Sequence, residues 1–183
     1  MVIGEILTVN AMKFPRKIAL IMEGEGHTYE QMNAGCNRLA NALIQRGIGE
    51  GSRIAVLEKT SAQAIQAIFG IAKSGATLVM VNNLLRLREL EFILHDSEPS
   101  LLFLGEDFID TVAPMRGKLP FIHEFISLGQ GRPGVTSFQQ WADGASSANP
   151  DKKVREDAIF NLLYTSDTTG LPDEQYPHSA GIL

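Results

Sequence analysis

Between Leu162 and His178 the chain reads Leu-Leu-Tyr-Thr-Ser-Asp-Thr-Thr-Gly-Leu-Pro-Asp-Glu-Gln-Tyr-Pro-His. The largely apolar run Ile159 to Tyr164 has the composition of a buried strand. It feeds into Thr165, Ser166, Thr168, Thr169 and Gly170, four hydroxyls and a glycine within six positions. A turn of this kind can aim hydroxyls and unpaired backbone N–H groups at one point, which suits phosphate. Asp167, Asp173 and Glu174 put three carboxylates in the same stretch. Its shape suits a phosphate and its charge opposes one. By composition alone, a Ser/Thr/Gly/Asp-rich stretch after a strand is also an ordinary turn.

Other chemistry-bearing residues are sparse. His27, His95, His123 and His178 are scattered, with no pair at metal-ligand spacing, so no metal site is expected. The single Cys36 excludes an internal disulfide and sits on an apolar helical stripe, where a core thiol is expected. Arg86, Arg88, Glu89 and Glu91 read as a solvated helix face. Ser166 is not framed by G-x-S-x-G, and the chain has no Walker loop, G-x-x-x-x-G-K-[ST]. Trp141 is expected to be a packing residue.

The elements that must hold the segment alternate. Residues 3–13 predict a helix ending before Pro15, followed by a strand over 17–21 and a turn at 23–26. Thr28 and Gln31 form a capping box that opens a helix with the stripe Met32, Cys36, Leu39, Ala40, Leu43 and Ile44, stopped by Gly47. A strand over 53–57, a helix over 61–73 closed by Gly75, and a strand over 77–81 follow. Leu87, Leu90, Ile93 and Leu94 mark another helix, ahead of a strand over 100–104. This order predicts an α/β fold, a mainly parallel sheet with crossover helices. After Gly105 the periodicity weakens, with a strand read over 121–128 and a helical piece over 138–142. Gly144 to Asp151 reads as a surface loop. The expected division is 1–143 as an α/β subdomain and 144–158 as a linker and approach. Residues 159–183 would then hold the strand, the altered loop and its continuation.

At 183 residues the chain suits one domain with a real core. Hydrophobic content of 44% and charged content of 20% are those of an ordinary soluble protein. A net charge of −5 offers no basic footprint for nucleic acid. No apolar run is long enough to span a membrane, and the first residues lack a basic leader, so a cytoplasmic protein is expected.

The 162–178 segment resembles the phosphate-binding signature of the adenylate-forming (AMP-binding) enzymes: acyl-CoA synthetases, luciferases and peptide-synthetase adenylation domains. That signature runs tyrosine-threonine-serine-glycine-threonine-threonine-glycine-x-proline-lysine-glycine, then a histidine. Tyr164, Thr165, Ser166, Thr168, Thr169, Gly170, Pro172 and His178 match it. Asp167 replaces a glycine, Asp173 the lysine and Glu174 a second glycine. Upstream, the stretches 15–20, 28–32, 37–43, 51–56, 71–76 and 88–94 resemble the first subdomain of an acyl-CoA synthetase N-terminal domain. Residues 105–119 with 138–141 look most like fatty-acyl-CoA synthetases. Val81 departs from a proline that many members carry.

The resemblance implies an acid–thiol ligase that uses ATP with Mg and CoA on a small-molecule carboxylate. In such enzymes the residues at Thr165, Ser166, Thr168, Thr169 and Gly170 hold the ATP phosphates while the carboxylate attacks, and CoA then displaces AMP. The residue at His178 shapes the acyl or nucleotide pocket. Replacing one lysine and two glycines by three acids takes the loop formally from +1 to −3. At about 5 Å and an effective dielectric of about 20, each misplaced charge costs on the order of 3 kcal/mol against ATP. Weak ATP binding is therefore expected. The family's catalytic lysine, ribose-binding acid and hinge match nothing before Leu183, so no catalytic residue is assigned and no acyl-adenylate is expected from this chain alone. The alternative is a non-catalytic module derived from an adenylation subdomain, which binds a partner or self-associates, the edge at residues 179–183 being the candidate surface.

Overall fold

The computed structural model of the chain describes residues 2–164 and the backbone of 181–182. It opens with helix α1 (Glu5–Lys13), the antiparallel hairpin β1 (Ile18–Met22) and β2 (Glu25–Thr28), and α2 (Tyr29–Gln45). The capping box forms at the start of α2: the Gln31 N–H donates to Thr28 Oγ1 at 3.2 Å, and the Thr28 N–H donates to Gln31 Oε1 at 2.9 Å. Strand β3 (Arg53–Leu57), α3 (Ala62–Ser74), β4 (Thr77–Val81), α4 (Leu87–Ser97) and β5 (Leu101–Leu104) follow in strict alternation. Ser61 caps α3 by accepting from the Ala64 N–H at 3.0 Å, and Gly75, at φ 78°, ends it in a left-handed turn closed to most side chains.

Beyond Gly105, Pro114 and Gly117 break the helical run. The chain makes 3-10 turns at Glu106–Phe108 and Ala113–Lys118 around α5 (Ile109–Val112). Strand β6 (Glu124–Ser127), β7 (Thr136–Ser137) and α6 (Phe138–Trp141) lead to β8 (Asn161–Leu163), which pairs with β9 (Gly181–Ile182). The sheet order is β7-β6-β5-β3-β4-β8-β9, six parallel strands with β9 antiparallel at the end.

The alternation of side chains along β3 explains the layers. Ile54 and Val56 face a core built with Leu39 and Leu43 of α2 and Ala67 and Ile71 of α3. Ala55 and Leu57 face the opposite core, with Leu90, Ile93 and Leu94 of α4 and Val112 of α5. Both faces of the central strands are covered, as their continuous apolar sequences demand.

Two strand expectations narrow by more than one residue. The run over 121–128 narrows to Glu124–Ser127. The run over 159–164 narrows to three half-buried residues, with Ile159 50% exposed. The physical reason is the short register with β4, in which only Leu78↔Asn161 and Val79↔Leu162 pair. The Ile159 carbonyl is taken by the Thr77 hydroxyl at 3.1 Å instead of by a ladder bond.

Candidate functional site

The first parallel strand, β3, lies between β4 on one side and β5 on the other. The chain winds first toward β4 and later toward β5, so β3 and β5 flank a topological switch point. Ligands of open α/β sheets gather outside the carboxyl ends of the strands near such points. That edge carries Glu58 and Lys59 after β3, Asn82 after β4, Gly105 to Asp107 after β5, and Tyr164 after β8.

Tyr164 is the last described residue before the hydroxyl-rich segment. It packs beside the α4 core, and its hydroxyl donates to Asp96 Oδ2 at 2.6 Å. Burial, reinforced by the Asp96 carboxylate, holds the phenol well above its ordinary range, so it stays a donor. On the other flank the Leu78 N–H donates to the Phe160 carbonyl at 2.8 Å. These contacts fix where the chain leaves the sheet. Thr165, Ser166, Asp167, Thr168, Thr169, Gly170, Asp173, Glu174 and His178 lie outside the described residues.

The described part of the edge is acidic. Burial raises the Glu58 carboxyl above its ordinary range, while the Lys59 backbone N–H at 2.7 Å pulls it back. Gly105 passes so close to Glu58 that any Cβ there would strike the carboxylate. Lys59 pairs with Asp107 at 2.5 Å, and Glu106 accepts the Gln130 backbone N–H. The cation on this flank is thus engaged by a neighbouring acid. Among the described residues no three His, Cys, Asp or Glu side chains are placed to hold a metal ion.

Residues read as structural behave so. Cys36 is fully buried against Leu7 and Met32. Trp141 packs edge-on to Phe103 at 5.5 Å, donates from Nε1 to Glu124 at 2.7 Å and lies under the Arg46 guanidinium at 4.1 Å. Glu89 accepts the Arg86 N–H at 2.8 Å, and Glu91 pairs with Lys118 at 2.9 Å, as suits a solvated face.

One polar cluster escaped sequence reasoning. Lys73, in the last turn of α3 at the amino edge of the sheet, is only 6% exposed and is ringed by oxygens of Thr8, Asn33, Asn37 and Asn149. The available signal was the spacing of Asn33, Asn37 and Asn41, which puts three amides on one face of α2.

The profile of the AMP-binding enzymes matches residues 7–172. A fatty acid–[acyl-carrier-protein] ligase, ScoC, of Streptomyces coeruleorubidus is 39% identical over 166 residues, covering 89% of this chain and 30% of that protein. A medium/long-chain-fatty-acid–CoA/3-oxocholest-4-en-26-oate–CoA ligase of Mycobacterium marinum is 30% identical over 168 residues, covering 86% of this chain and 30% of that protein. Among solved structures, the anthranilate CoA ligase AuaEII superposes with a TM-score of 0.86 at 30% identity, covering 93% of this chain and 33% of its own. The N-terminal domain of FACL13 from Mycobacterium tuberculosis gives 0.81 at 28% identity, covering 91% of this chain and 42% of its own. The chain therefore spans about 30% of the length of these curated relatives. Among the described residues no helix is long and apolar enough to cross a membrane.

Proposed function

Because the chain belongs to the AMP-binding enzyme family, we propose that it is the N-terminal part of an ATP-dependent acyl-CoA synthetase-like ligase. The whole ligase joins a small-molecule carboxylate to a thiol through an acyl-adenylate. The observation that carries this reading is the position of Tyr164. It directly follows β8 at the carboxyl edge of the parallel sheet, immediately before Thr165-Ser166-Asp167-Thr168-Thr169-Gly170. The hydroxyls and Gly170 are the candidates to contact the phosphates, and His178 is the candidate to shape the pocket.

The residues present do not fit a magnesium triphosphate well. Asp167, Asp173 and Glu174 replace two glycines and a lysine of the signature. Glu58 follows β3, which lies two strand spacings from β8, on the order of 10 Å. The departing pyrophosphate of an adenylation wants fixed donors and a cation, and this loop offers donors among three anions. No adenylation step is assigned to the chain by itself.

Calorimetry with ATP tests the charge argument. The chain should show no binding at millimolar nucleotide, and it should release no pyrophosphate with a fatty acid present. The triple variant Asp167→Gly, Asp173→Lys, Glu174→Gly should bind ATP at least tenfold more tightly, still without turnover. Tight binding by the unaltered chain would sink the proposal that these acids weaken the site.

A further inference from the structure

The ammonium of Lys73 donates to Thr8 Oγ1 at 2.6 Å, Asn33 Oδ1 at 2.7 Å and Asn37 Oδ1 at 2.6 Å, with Asn149 Oδ1 at 3.5 Å. Three donors meet three close acceptors, which is the full capacity of an ammonium group. Those acceptors come from α1 and α2, and the more distant one from the 144–158 segment. All are neutral, so dipoles compensate the buried charge without a carboxylate bond. The titratable groups facing it are Cys36 of α2, Glu5 of α1, and Lys152 and Lys153 of the following segment.

The charge also orients the amides of Asn33 and Asn37. With Oδ1 held on the ammonium, the Nδ2 of Asn37 is aimed outward and donates to the Ser147 carbonyl at 2.9 Å and to Asn149 Oδ1 at 3.0 Å. One turn on, Asn41 Nδ2 donates to the carbonyls of Ser146 at 2.7 Å and Ala148 at 2.9 Å. Asn33 Nδ2 reaches Asn149 Oδ1 at 3.3 Å. A stretch with no helix or strand of its own is thus stitched along α2. Val154 then passes Gly75, close enough that a Cβ there would touch it at 3.6 Å, and the chain runs on into β8.

We propose that Thr8, Asn33, Asn37 and Asn149 form a cation cage whose occupant is the chain's own Lys73 ammonium, and that this charge positions residues 146–149 and the approach to β8. Lys73 is a positioning residue and stands apart from any adenylation chemistry. A shallow groove of about 200 Å³, bounded by Val2, Gly4, Thr8 and Lys152, reaches Lys73 from solvent and would admit a small cation.

Chemical rescue separates a cage from ordinary packing. In Lys73→Ala, proteolytic cleavage within the exposed 146–149 stretch, whose carbonyls the α2 amides hold, should rise roughly tenfold or more while the amides of β3, β4 and β5 keep their exchange protection. Ammonium chloride should slow that cleavage again, and tetramethylammonium chloride at equal ionic strength should not. Unchanged cleavage at 146–149, or equal action of the two salts, overturns the proposal. If Lys73→Ala does not fold, Lys73→Met decides, since it keeps the apolar stem and removes only the charge. Faster cleavage at 146–149 in that variant supports the cage, and unaltered cleavage there refutes it.

Discussion

Two neighbouring buried residues make the stability of the fold depend on pH on the alkaline side. Burial pulls the Lys73 ammonium from 10.5 down to about 8. Burial pushes the neighbouring Cys36 thiol from 9.0 up to about 12, partly offset by the Lys73 charge. Their linkages have opposite signs. Between about pH 8 and 10.5 the unfolded chain holds a proton on this lysine that the folded chain has released, so stability rises with pH there. From pH 9.0 to about 12 the folded chain keeps the thiol proton that the unfolded chain gives up, so stability falls. One fully differential proton is worth about 1.4 kcal/mol per pH unit. Cys36→Ala removes only the falling component. The difference in unfolding free energy between the native chain and this variant should be flat below pH 9 and shrink above it, by up to that slope. Urea titrations from neutral pH to pH 10.5 measure it. A difference that stays flat throughout would show that the thiol is not shielded.

Between elements, α2 and α3 approach each other closely at Gly70. Gly70 sits where any Cβ would lie 2.8 Å from Leu39 Cδ2 and 2.9 Å from the Cys36 carbonyl. Alanine is the better helix former by about 1 kcal/mol, yet the Cys36 carbonyl is backbone and cannot move aside. Overpacking typically costs about 1–3 kcal/mol, so the clash outweighs the propensity gain. Gly70→Ala should lower stability by roughly 1–2 kcal/mol, read as a drop in the urea midpoint without a change in slope. A stabilised variant would mean the helices are free to part. Such contacts explain what a sequence reader can and cannot see. The Thr28–Gln31 box, the Ser61 cap and the Gly75 stop are local, and each is legible from residue types a few positions apart. The Asn33-Asn37-Asn41 ladder is equally regular, but amides on a helix read as a solvated face until a loop more than 100 residues away lies along them. Lys73 was hidden for the same reason, since a lysine in a last turn also satisfies the helix dipole. The hydroxyl-rich segment was visible because its residues are contiguous. The acidic flank formed by Glu58, Glu106 and Asp107 was not, because only the β3–β5 pairing brings it together.

Across the whole molecule, stability should fall from the centre of the sheet toward its edges, and that gradient bears on the proposed site. Strands β3 and β5 have both faces buried and every residue of β5 covered. Strand β8, which delivers the chain to Thr165, is half-buried and shares only two registered pairs with β4. The element that carries the candidate phosphate turn is therefore held less firmly than the frame beneath it, as is common where binding segments must adjust. The Tyr164–Asp96 hydrogen bond is one tie between β8 and α4. A hydrogen bond to a charged group contributes about 1.5–3 kcal/mol when well buried, and a value near 1 kcal/mol suits this half-exposed pair. Tyr164→Phe should thus speed exchange of the β8 amides by roughly fivefold while those of β3, β4 and β5 stay at the global limit. The global unfolding midpoint should hardly move, because β8 opens before the rest. Acceleration spread evenly over the sheet would show instead that β8 and the central strands unfold as one unit. The candidate turn would then rest on the rigid frame, and the acids at 167, 173 and 174 would have to account for weak ATP binding unaided.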